Sequence, residues 1–173
     1  MSAAAGRRYI LFGLLIAAVV LIADQASKNW VLYGLGFIEC PVCVPVEVTS
    51  FFNLTMVWNE GISYGLLPAD SAGERYLLIG FSILMALVLT WWLTRADGRW
   101  LALGLGLVIG GAVGNVIDRF LYGAVVDFFH LHAFGYSWYV FNVADAAIVL
   151  GVGAILIDAV FMGRAPSGSE AKG

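Results

Sequence analysis

The side chains best suited to chemistry in this sequence are acidic and amide groups that interrupt otherwise apolar segments. Asp127 and Asp145 lie 18 positions apart, and Asp145 stands near the start of a long apolar run. A carboxylate is costly to place in a membrane segment, so it is a functional candidate by default. Two aspartates that share a site cannot both ionise easily, so one retains a proton. The ionised one can then activate water while the protonated one donates to a leaving amine, which predicts amide hydrolysis by a carboxylate pair.

Further polar residues recur near these aspartates at helical spacing. Asn115 precedes Asp118 by three positions and Arg119 by four, and Asn142 precedes Asp145 by three. Residues three or four apart share one face of a helix. Two predicted helices therefore each present an amide together with a carboxylate.

Structural roles could explain some of these residues without any chemistry. Asn142 could serve only as an N-cap, with Asp145 at a position favoured by the helix dipole. Asp24 and Lys28 lie four positions apart and could form a local ion pair. Asp158 lies apart from the others, near the far end of the last apolar segment, and we interpret it as interfacial.

Metal and serine chemistry are weaker hypotheses. His130 and His132 could bind a metal, but the carboxylates offer no matching ligand spacing, so we predict no metal site. Ser27 and Ser63 have no histidine in a recognisable activating motif, so we predict no serine nucleophile. No cofactor is expected.

The composition predicts an integral membrane protein. The chain has 173 residues, of which 61% are hydrophobic and 12% charged, with a mean hydropathy of +0.90. Soluble domains carry about 25% charged residues. The net charge is −3 and the sequence has no basic tract, so nucleic acid is not expected as a partner.

Four apolar segments are long enough to span a bilayer, and they predict a single polytopic membrane domain over residues 1–173. They run over about residues 9–30, 76–94, 100–117 and 141–162. Both termini are predicted to be cytoplasmic, because this places more Lys and Arg residues inside (Arg7, Arg8, Arg95, Arg99, Arg164 and Lys172) than outside (Lys28, Arg75 and Arg119).

The predicted fold is therefore a membrane protein with an all-α core of four transmembrane helices and two external stretches. The first stretch contains a small β-rich cradle over about residues 37–64, and the second is an aromatic, interfacial segment before the last helix. The polar tail, about residues 163–173, is expected to be disordered. Cys40 and Cys43 could form a disulfide, remain free thiols or serve a metal or redox role.

The order of the polar motifs resembles that of bacterial lipoprotein signal peptidases, the signal peptidase II family. The resemblance covers most of the chain through five blocks: "DQASK" at 24–28, "NEGISYG" at 59–65, "GGAVGNVIDR" at 110–119, "VVDF" at 125–128 and "FNVAD" at 141–145. Two features depart from the family pattern. Tyr64 stands where Phe or Trp is usual, and "CPVC" is not a family motif.

The resemblance implies a bacterial inner-membrane aspartic endopeptidase whose active site lies near the external face. Its substrates would be diacylglyceryl-modified prolipoproteins, cut just before the lipidated cysteine, and the enzyme would act as a monomer surrounded by membrane lipid. The family's catalytic pair falls on Asp127 and Asp145. Residues implied to bind substrate or support the pair are Asp24, Asn59, Gly61, Asn115, Asp118, Arg119 and Asn142. Asn59 and Arg119 would contact the substrate backbone, and Asp118 would hold Arg119 or only neutralise a helix end.

Two other classes of membrane protein would also use intramembrane polar residues. A proton-coupled carrier would place them near the bilayer midplane, often on broken helices. A non-catalytic scaffold would tolerate loss of both aspartates. Here the polar residues gather toward one face, and no inverted repeat is visible.

Overall fold

Four long apolar helices and a small antiparallel sheet make up the computed structural model, which describes residues 3–40, 44–61 and 72–162. The helices are α1 (Ala3–Asn29), α2 (Ala72–Leu93), α3 (Arg99–Leu121) and α4 (Val143–Ile157). The strands are β1 (Val46–Thr49), β2 (Phe52–Asn59), β3 (Val125–Ala133) and β4 (Tyr136–Ser137). Five-residue π-helical turns extend α1 through Trp30–Gly34 and α4 through Asp158–Met162.

The predicted helical membrane core is confirmed. Helical segments at Gly6–Gly34, Gly73–Leu93, Arg99–Leu121 and Val143–Phe161 are each long and apolar enough to cross a bilayer. The first two begin a few residues earlier than the apolar pattern indicates, because polar residues extend their N-terminal turns. Cys43, Ser63, Tyr64 and the tail from residue 163 lie outside the described residues.

Helix α3 is the centre of the helix bundle. Its most apolar window is 61% buried, against 17%, 17% and 22% for the other three helices. Small residues make this possible because they let backbones approach closely. A Cβ atom added to Gly110 would lie 2.6 Å from the carbonyl oxygen of Ala17 on α1, and one added to Gly104 would lie 2.7 Å from that of Gly151 on α4. Gly110 therefore lies on a face of α3 that packs closely against α1, and Gly104 lies on a second face that packs against α4.

The four strands form one sheet in the order β1-β2-β3-β4. The predicted cradle contributes β1 and β2, while β3 and β4 come from the aromatic stretch before α4. The β3–β4 turn is two residues long, with φ values of 51° at Phe134 and 81° at Gly135, as hairpin turns of type I′ require. The aromatic stretch is therefore an integral part of the cradle as well as its exposed rim.

The inner face of the sheet packs against the end of the first helical segment. Val31 and Leu32 of its π-helical turn, with Phe37, form one buried cluster with Leu54, Val126 and Phe128 of the strands. This contact fixes the start of β3 above one end of the helix bundle. The first four residues of β3 are buried, whereas its last five are half-buried or exposed.

Candidate active site

Asp127 enters the site from the buried half of β3. Its carboxylate is 1% exposed, and both oxygens accept hydrogen bonds from side-chain amides. Asn142 Nδ2 donates to Oδ1 at 2.7 Å, and Asn59 Nδ2 donates to Oδ2 at 2.9 Å. The β2 register shifts between Leu54 and Val57, directly beside Asp127. Such a bulge bends the strand and re-aims its side chains.

Burial raises the pKa of Asp127 to about 6, from an ordinary value of 3.8. Removal from water is the largest cause, and the negative charge of Asp145 adds to it. The hydrogen bonds from Asn59 and Asn142 and the positive charge of Lys28 oppose the rise. Asp127 therefore exchanges its proton near neutral pH, as a general acid or base requires.

Asp145 enters from the first turn of α4, where it forms a capping box with Asn142. The backbone N–H of Asp145 donates to Asn142 Oδ1 at 2.9 Å, and the N–H of Asn142 donates to Asp145 Oδ2 at 3.3 Å. The capping interpretation of this pair is correct but incomplete. The cap leaves Asp145 Oδ1 and Asn142 Nδ2 available for other partners.

Asp145 Oδ1 and Asn142 Nδ2 take part in hydrogen bonds that link the two aspartates through the side-chain amides of Asn115 and Asn142. Asn115 Nδ2 of α3 donates to Asp145 Oδ1 at 2.8 Å. Asn142 Nδ2 donates to Asp127 Oδ1 and also lies 3.2 Å from Asn115 Oδ1. Asp127, Asn142, Asn115 and Asp145 thus form a continuous polar chain. Helical spacing paired Asn142 with Asp145 correctly. Asn115, however, holds Asp145 of α4 instead of Asp118 of its own helix.

A second layer below this frame contains Asp24, Lys28 and Asp118. Lys28 Nζ lies 2.7 Å from Asp24 Oδ2 and 2.8 Å from Asp118 Oδ2, and it donates to Asn115 Oδ1 at 3.1 Å. All three charged side chains are at most 2% exposed. The expected Asp24–Lys28 ion pair is therefore present but not merely local, because Lys28 connects α1 to α3.

The carboxylates of this second layer also anchor the two elements that carry the predicted pair. The backbone N–H of Ala144 in α4 donates to Asp24 Oδ1 at 2.9 Å. The N–H of Val126 in β3 donates to Asp118 Oδ2 at 3.1 Å. Each anchored amide is adjacent in sequence to Asp145 or Asp127. Asp24 and Asp118 therefore set the positions of the two elements.

Sequence reasoning missed two members of this layer. Lys28 appeared only as a local partner of Asp24, and Gln25 was not selected at all. Gln25 Nε2 donates to Asp118 Oδ1 at 3.0 Å and to the carbonyl of Gly114 at 3.3 Å. Charge balance could have identified Lys28, because several carboxylates near one membrane face require a buried cation.

Arg119 lies among the carboxylates without an ion pair to any of them in the described part of the chain. It is half-buried, and its Nη1 donates to the carbonyl of Asn115 at 3.3 Å. Its Nε is buried and has no hydrogen-bond partner among the described residues. The expectation that Asp118 holds Arg119 does not match these contacts, because Asp118 is occupied by Lys28, Gln25 and the β3 backbone.

An open cavity of about 520 Å³ reaches Asp127 from the sheet side. Asn59 lies in its wall and is itself fixed by the N–H of Gly61, which donates to Asn59 Oδ1 at 3.0 Å. Gly61 has φ = 116°, which favours glycine. The other described residues around the cavity are Val57, Trp58, Glu60, His130, Ser137, Trp138, Tyr139 and Val140.

The remaining sequence candidates lie outside this constellation. His130 Nε2 lies 2.5 Å from Ser137 Oγ, and the rings of His130 and His132 are 5.4 Å apart. Ser27 Oγ donates to the carbonyl of Asp24. Asp158 lies near Gly98, at the far end of the bundle. Within the described residues, no group of three or more His, Cys, Asp or Glu is arranged to hold a metal ion.

Two carboxylates held by shared amides at one end of four apolar helices are the arrangement expected of an aspartic hydrolase that works in a membrane. The comparisons with known proteins agree and are more specific. The sequence profile of signal peptidase (SPase) II matches residues 16–161. The chain belongs to the signal peptidase II family and is thus a peptidase, not a carrier or scaffold.

Named relatives and solved structures extend over nearly the whole chain. The lipoprotein signal peptidase of Methylobacterium sp. (strain 4-46) is 48% identical, over 96% of this chain and 94% of its own length. That of Rhodopseudomonas palustris (strain TIE-1) is 46% identical, over 87% of this chain and 93% of its own. A bacterial membrane enzyme solved by the in meso method at 2.3 Å resolution is 29% identical with a TM-score of 0.74, covering 92% of this chain and 94% of that one.

Proposed function

We propose that this protein removes the signal peptide from diacylglyceryl-modified prolipoproteins by cutting just before the lipidated cysteine. The observation that carries the proposal is the amide frame joining Asp127 to Asp145 at one end of the apolar helices. The names of the relatives, lipoprotein signal peptidases, support the substrate class. A substrate that is cut at the membrane surface suits a site at the end of membrane-spanning helices.

The proposed reaction uses the two carboxylates in complementary protonation states. The ionised carboxylate takes a proton from water as the water oxygen attacks the scissile carbonyl carbon. The protonated carboxyl then donates to the leaving nitrogen as the C–N bond breaks. The products are a signal peptide ending in a carboxylate and a lipoprotein with a free amine on its lipidated cysteine. Both assignments of acid and base to Asp127 and Asp145 fit the geometry.

Arg119 and Asn59 are proposed to hold the substrate backbone. The buried, unpartnered Nε of Arg119 is a donor that a peptide carbonyl would satisfy. Asn59 already contacts Asp127 and borders the cavity, so a peptide lying there would pass both groups. Positioning the carbonyl, the water and the carboxylates together supplies much of the rate enhancement.

We place the enzyme in the bacterial cytoplasmic membrane as a monomeric single domain with both termini in the cytoplasm. Charge distribution supports this orientation. The described residues at the end opposite the site include four arginines, Arg7, Arg8, Arg95 and Arg99, whereas the site end is rich in carboxylates. Cytoplasmic loops of membrane proteins carry the excess of Lys and Arg. The carboxylate pair then lies near the external face.

The decisive experiment measures cleavage of a purified diacylglyceryl-prolipoprotein by Asp127→Asn and Asp145→Asn, followed by gel mobility and mass spectrometry. Each variant should lose at least about a thousandfold in turnover, because a missing acid or base cannot be replaced by its partner. Asp158→Asn is the matched control, since it removes a carboxylate at the far end of the bundle, and it should retain parental turnover. Near-parental turnover in either site variant contradicts the pair.

The substrate class is tested separately with an unlipidated prolipoprotein of the same sequence. The parent enzyme should cleave only the lipidated form, and the new N-terminus should be the modified cysteine. Equal cleavage of both forms would leave a membrane aspartic peptidase but exclude the lipid requirement.

A further inference from the structure

A groove at the end of the bundle opposite the carboxylates has no part in the proposed reaction. Its volume is about 450 Å³, and its described lining consists of Arg8, Tyr9, Leu11 and Phe12 of α1 together with Arg99 at the start of α3. Both helices carry their site residues near their other ends. The groove therefore lies where the bundle meets the other membrane surface.

Two guanidinium groups from separate helices face this groove without a carboxylate partner. Arg8 and Arg99 are both exposed, and in the described part of the chain the ion pairs within 4.0 Å all involve Lys28. The Arg99 guanidinium lies 5.8 Å from the centre of the Phe12 ring. Two acidic residues are near, Asp97 in the sequence and Asp158 beside Gly98, but neither pairs with Arg99.

The apolar side of the groove continues into the lipid-facing surface of α1. Leu11 is 59% exposed, and Leu15, Val19 and Ile22 follow on the same helical face with exposures of 62%, 55% and 67%. Tyr9 lies at the interface end of this ridge. A ligand that fits must therefore carry a negative head group beside a long apolar chain.

We propose that this groove binds an anionic phospholipid, with its phosphodiester between Arg8 and Arg99 and an acyl chain along Leu11 and Leu15. Guanidinium groups recognise phosphate oxygens through paired, charge-assisted hydrogen bonds. Basic pockets between transmembrane helices are established positions for anionic lipid head groups. The inference depends on the helices crossing a membrane and not on the peptidase reaction.

The test is native mass spectrometry of the detergent-solubilised protein titrated with dioleoyl-phosphatidylglycerol or dioleoyl-phosphatidylcholine. The parent should bind the first phosphatidylglycerol about tenfold more tightly than phosphatidylcholine, and the double variant Arg8→Gln/Arg99→Gln should lose this preference. The control Arg7→Gln/Arg95→Gln removes the same charge at the same end of the bundle but outside the groove. It should stay within about twofold of the parent.

Two outcomes overturn the proposal. Equal losses in both double variants would indicate diffuse attraction to basic residues and no defined site. Displacement of phosphatidylglycerol by 50 mM inorganic phosphate would indicate an anion site that does not need the acyl chain. Arg8→Lys/Arg99→Lys controls for a folding defect, because it keeps the charge but loses the paired hydrogen bonds, and it should retain more of the preference than Arg8→Gln/Arg99→Gln. Prolipoprotein cleavage in detergent should be unchanged in every variant, so this result is independent of the catalytic tests.

Discussion

At the scale of single residues, the site is built from amide side chains that each bind one partner through the oxygen and another through the nitrogen. Asn142 caps α4 through its oxygen and holds Asp127 through its nitrogen. Asn115 holds Asp145 through its nitrogen and accepts from Lys28 through its oxygen. A buried polar network rigidifies a site only when every member is satisfied. Loss of one member is therefore expected to affect atoms well beyond its own position.

Lys28 is the member whose loss should cost the most stability. Lys28→Met would leave the buried carboxylates of Asp24 and Asp118 without their cation, and breaking a buried ion pair in this way costs about 3–5 kcal/mol. Unfolding of the purified protein in detergent measures the change. The double variant Lys28→Met/Asp118→Asn should be less destabilised than Lys28→Met alone, since it removes one unpaired charge. If Lys28→Met lowers the free energy of unfolding by less than about 1 kcal/mol, a structural role for this cation is excluded.

The raised pKa of Asp127, about 6 against an ordinary 3.8, predicts a pH-dependent stability. Because the folded state binds this proton more tightly than the unfolded state, the stabilisation is present below about pH 4 and is lost as pH rises to about 6. The change across this window should be about 3 kcal/mol. Thermal unfolding in detergent between pH 4 and 7 should show a steeper decline for the parent than for Asp127→Asn. Asp158→Asn should keep the parental slope, and parallel curves for all three would contradict the assignment.

At the scale of elements, the geometry of the candidate site depends on where α1, α3, α4 and β3 meet. Asp24 accepts a hydrogen bond from the start of α4, and Asp118 accepts one from the start of β3. Close glycine contacts bring the helices near enough for these hydrogen bonds to form. The backbone of Phe141 pairs with Phe129, which returns the chain from the sheet to the start of α4 beside Asp127. Separation of any two elements should therefore disturb the polar network.

Gly110→Ala tests this dependence at the contact between α3 and α1. Its added Cβ would lie 2.6 Å from the backbone oxygen of Ala17, which cannot move as a flexible side chain would. Overpacking of this kind costs about 1–3 kcal/mol. We expect lower thermal stability and reduced cleavage. Gly153→Ala is the matched control on α4, because nothing lies within 4 Å of its added Cβ, and it should be neutral or stabilising by up to about 1 kcal/mol. Equal effects of the two substitutions would argue against close helix packing as the cause.

At the scale of the whole molecule, the four site carboxylates and the exposed arginines Arg7, Arg8, Arg95 and Arg99 occupy opposite ends of the bundle. The site end carries Asp24, Asp118, Asp127 and Asp145, and its cations Lys28, Arg75 and Arg119 are buried or half-buried. The other end carries exposed arginines beside Trp91, whose ring lies 3.8 Å from the Arg95 guanidinium. This asymmetry supports the proposed orientation in the membrane and separates the proposed lipid groove from the proposed peptidase site.

The proposed orientation predicts the outcome of reporter fusions in bacterial cells. A fluorescent protein fused after Gly173 should fluoresce, and alkaline phosphatase at the same position should be inactive, because both termini are proposed to be cytoplasmic. Phosphatase fused after Leu121, with α4 removed, should be active, since three spans return the chain to the outside. The reverse pattern would invert the topology and place the carboxylate pair in the cytoplasm.

The sequence by itself determined the membrane core and the residues worth testing. Hydrophobic length is a local property, so the four helices could be predicted, and helical spacing correctly paired Asn142 with Asp145. The pairing of Asn115 with Asp118 was wrong, because Asn115 donates to Asp145 of α4. The motif order singled out Asp127 and Asp145, whose catalytic role remains a prediction. These inferences needed only residues close together in the chain or a resemblance across its length.

Only the tertiary structure decided how those residues meet. It paired β2 with β3 across a long sequence separation, which turned the aromatic stretch into part of the sheet. It placed Lys28 between two helices and showed that Asp118 anchors β3 and not Arg119. It also brought Arg8 and Arg99 to one groove. The physical reason is that strand pairing, buried charge compensation and groove formation depend on which distant segments pack together, and local patterns do not specify that.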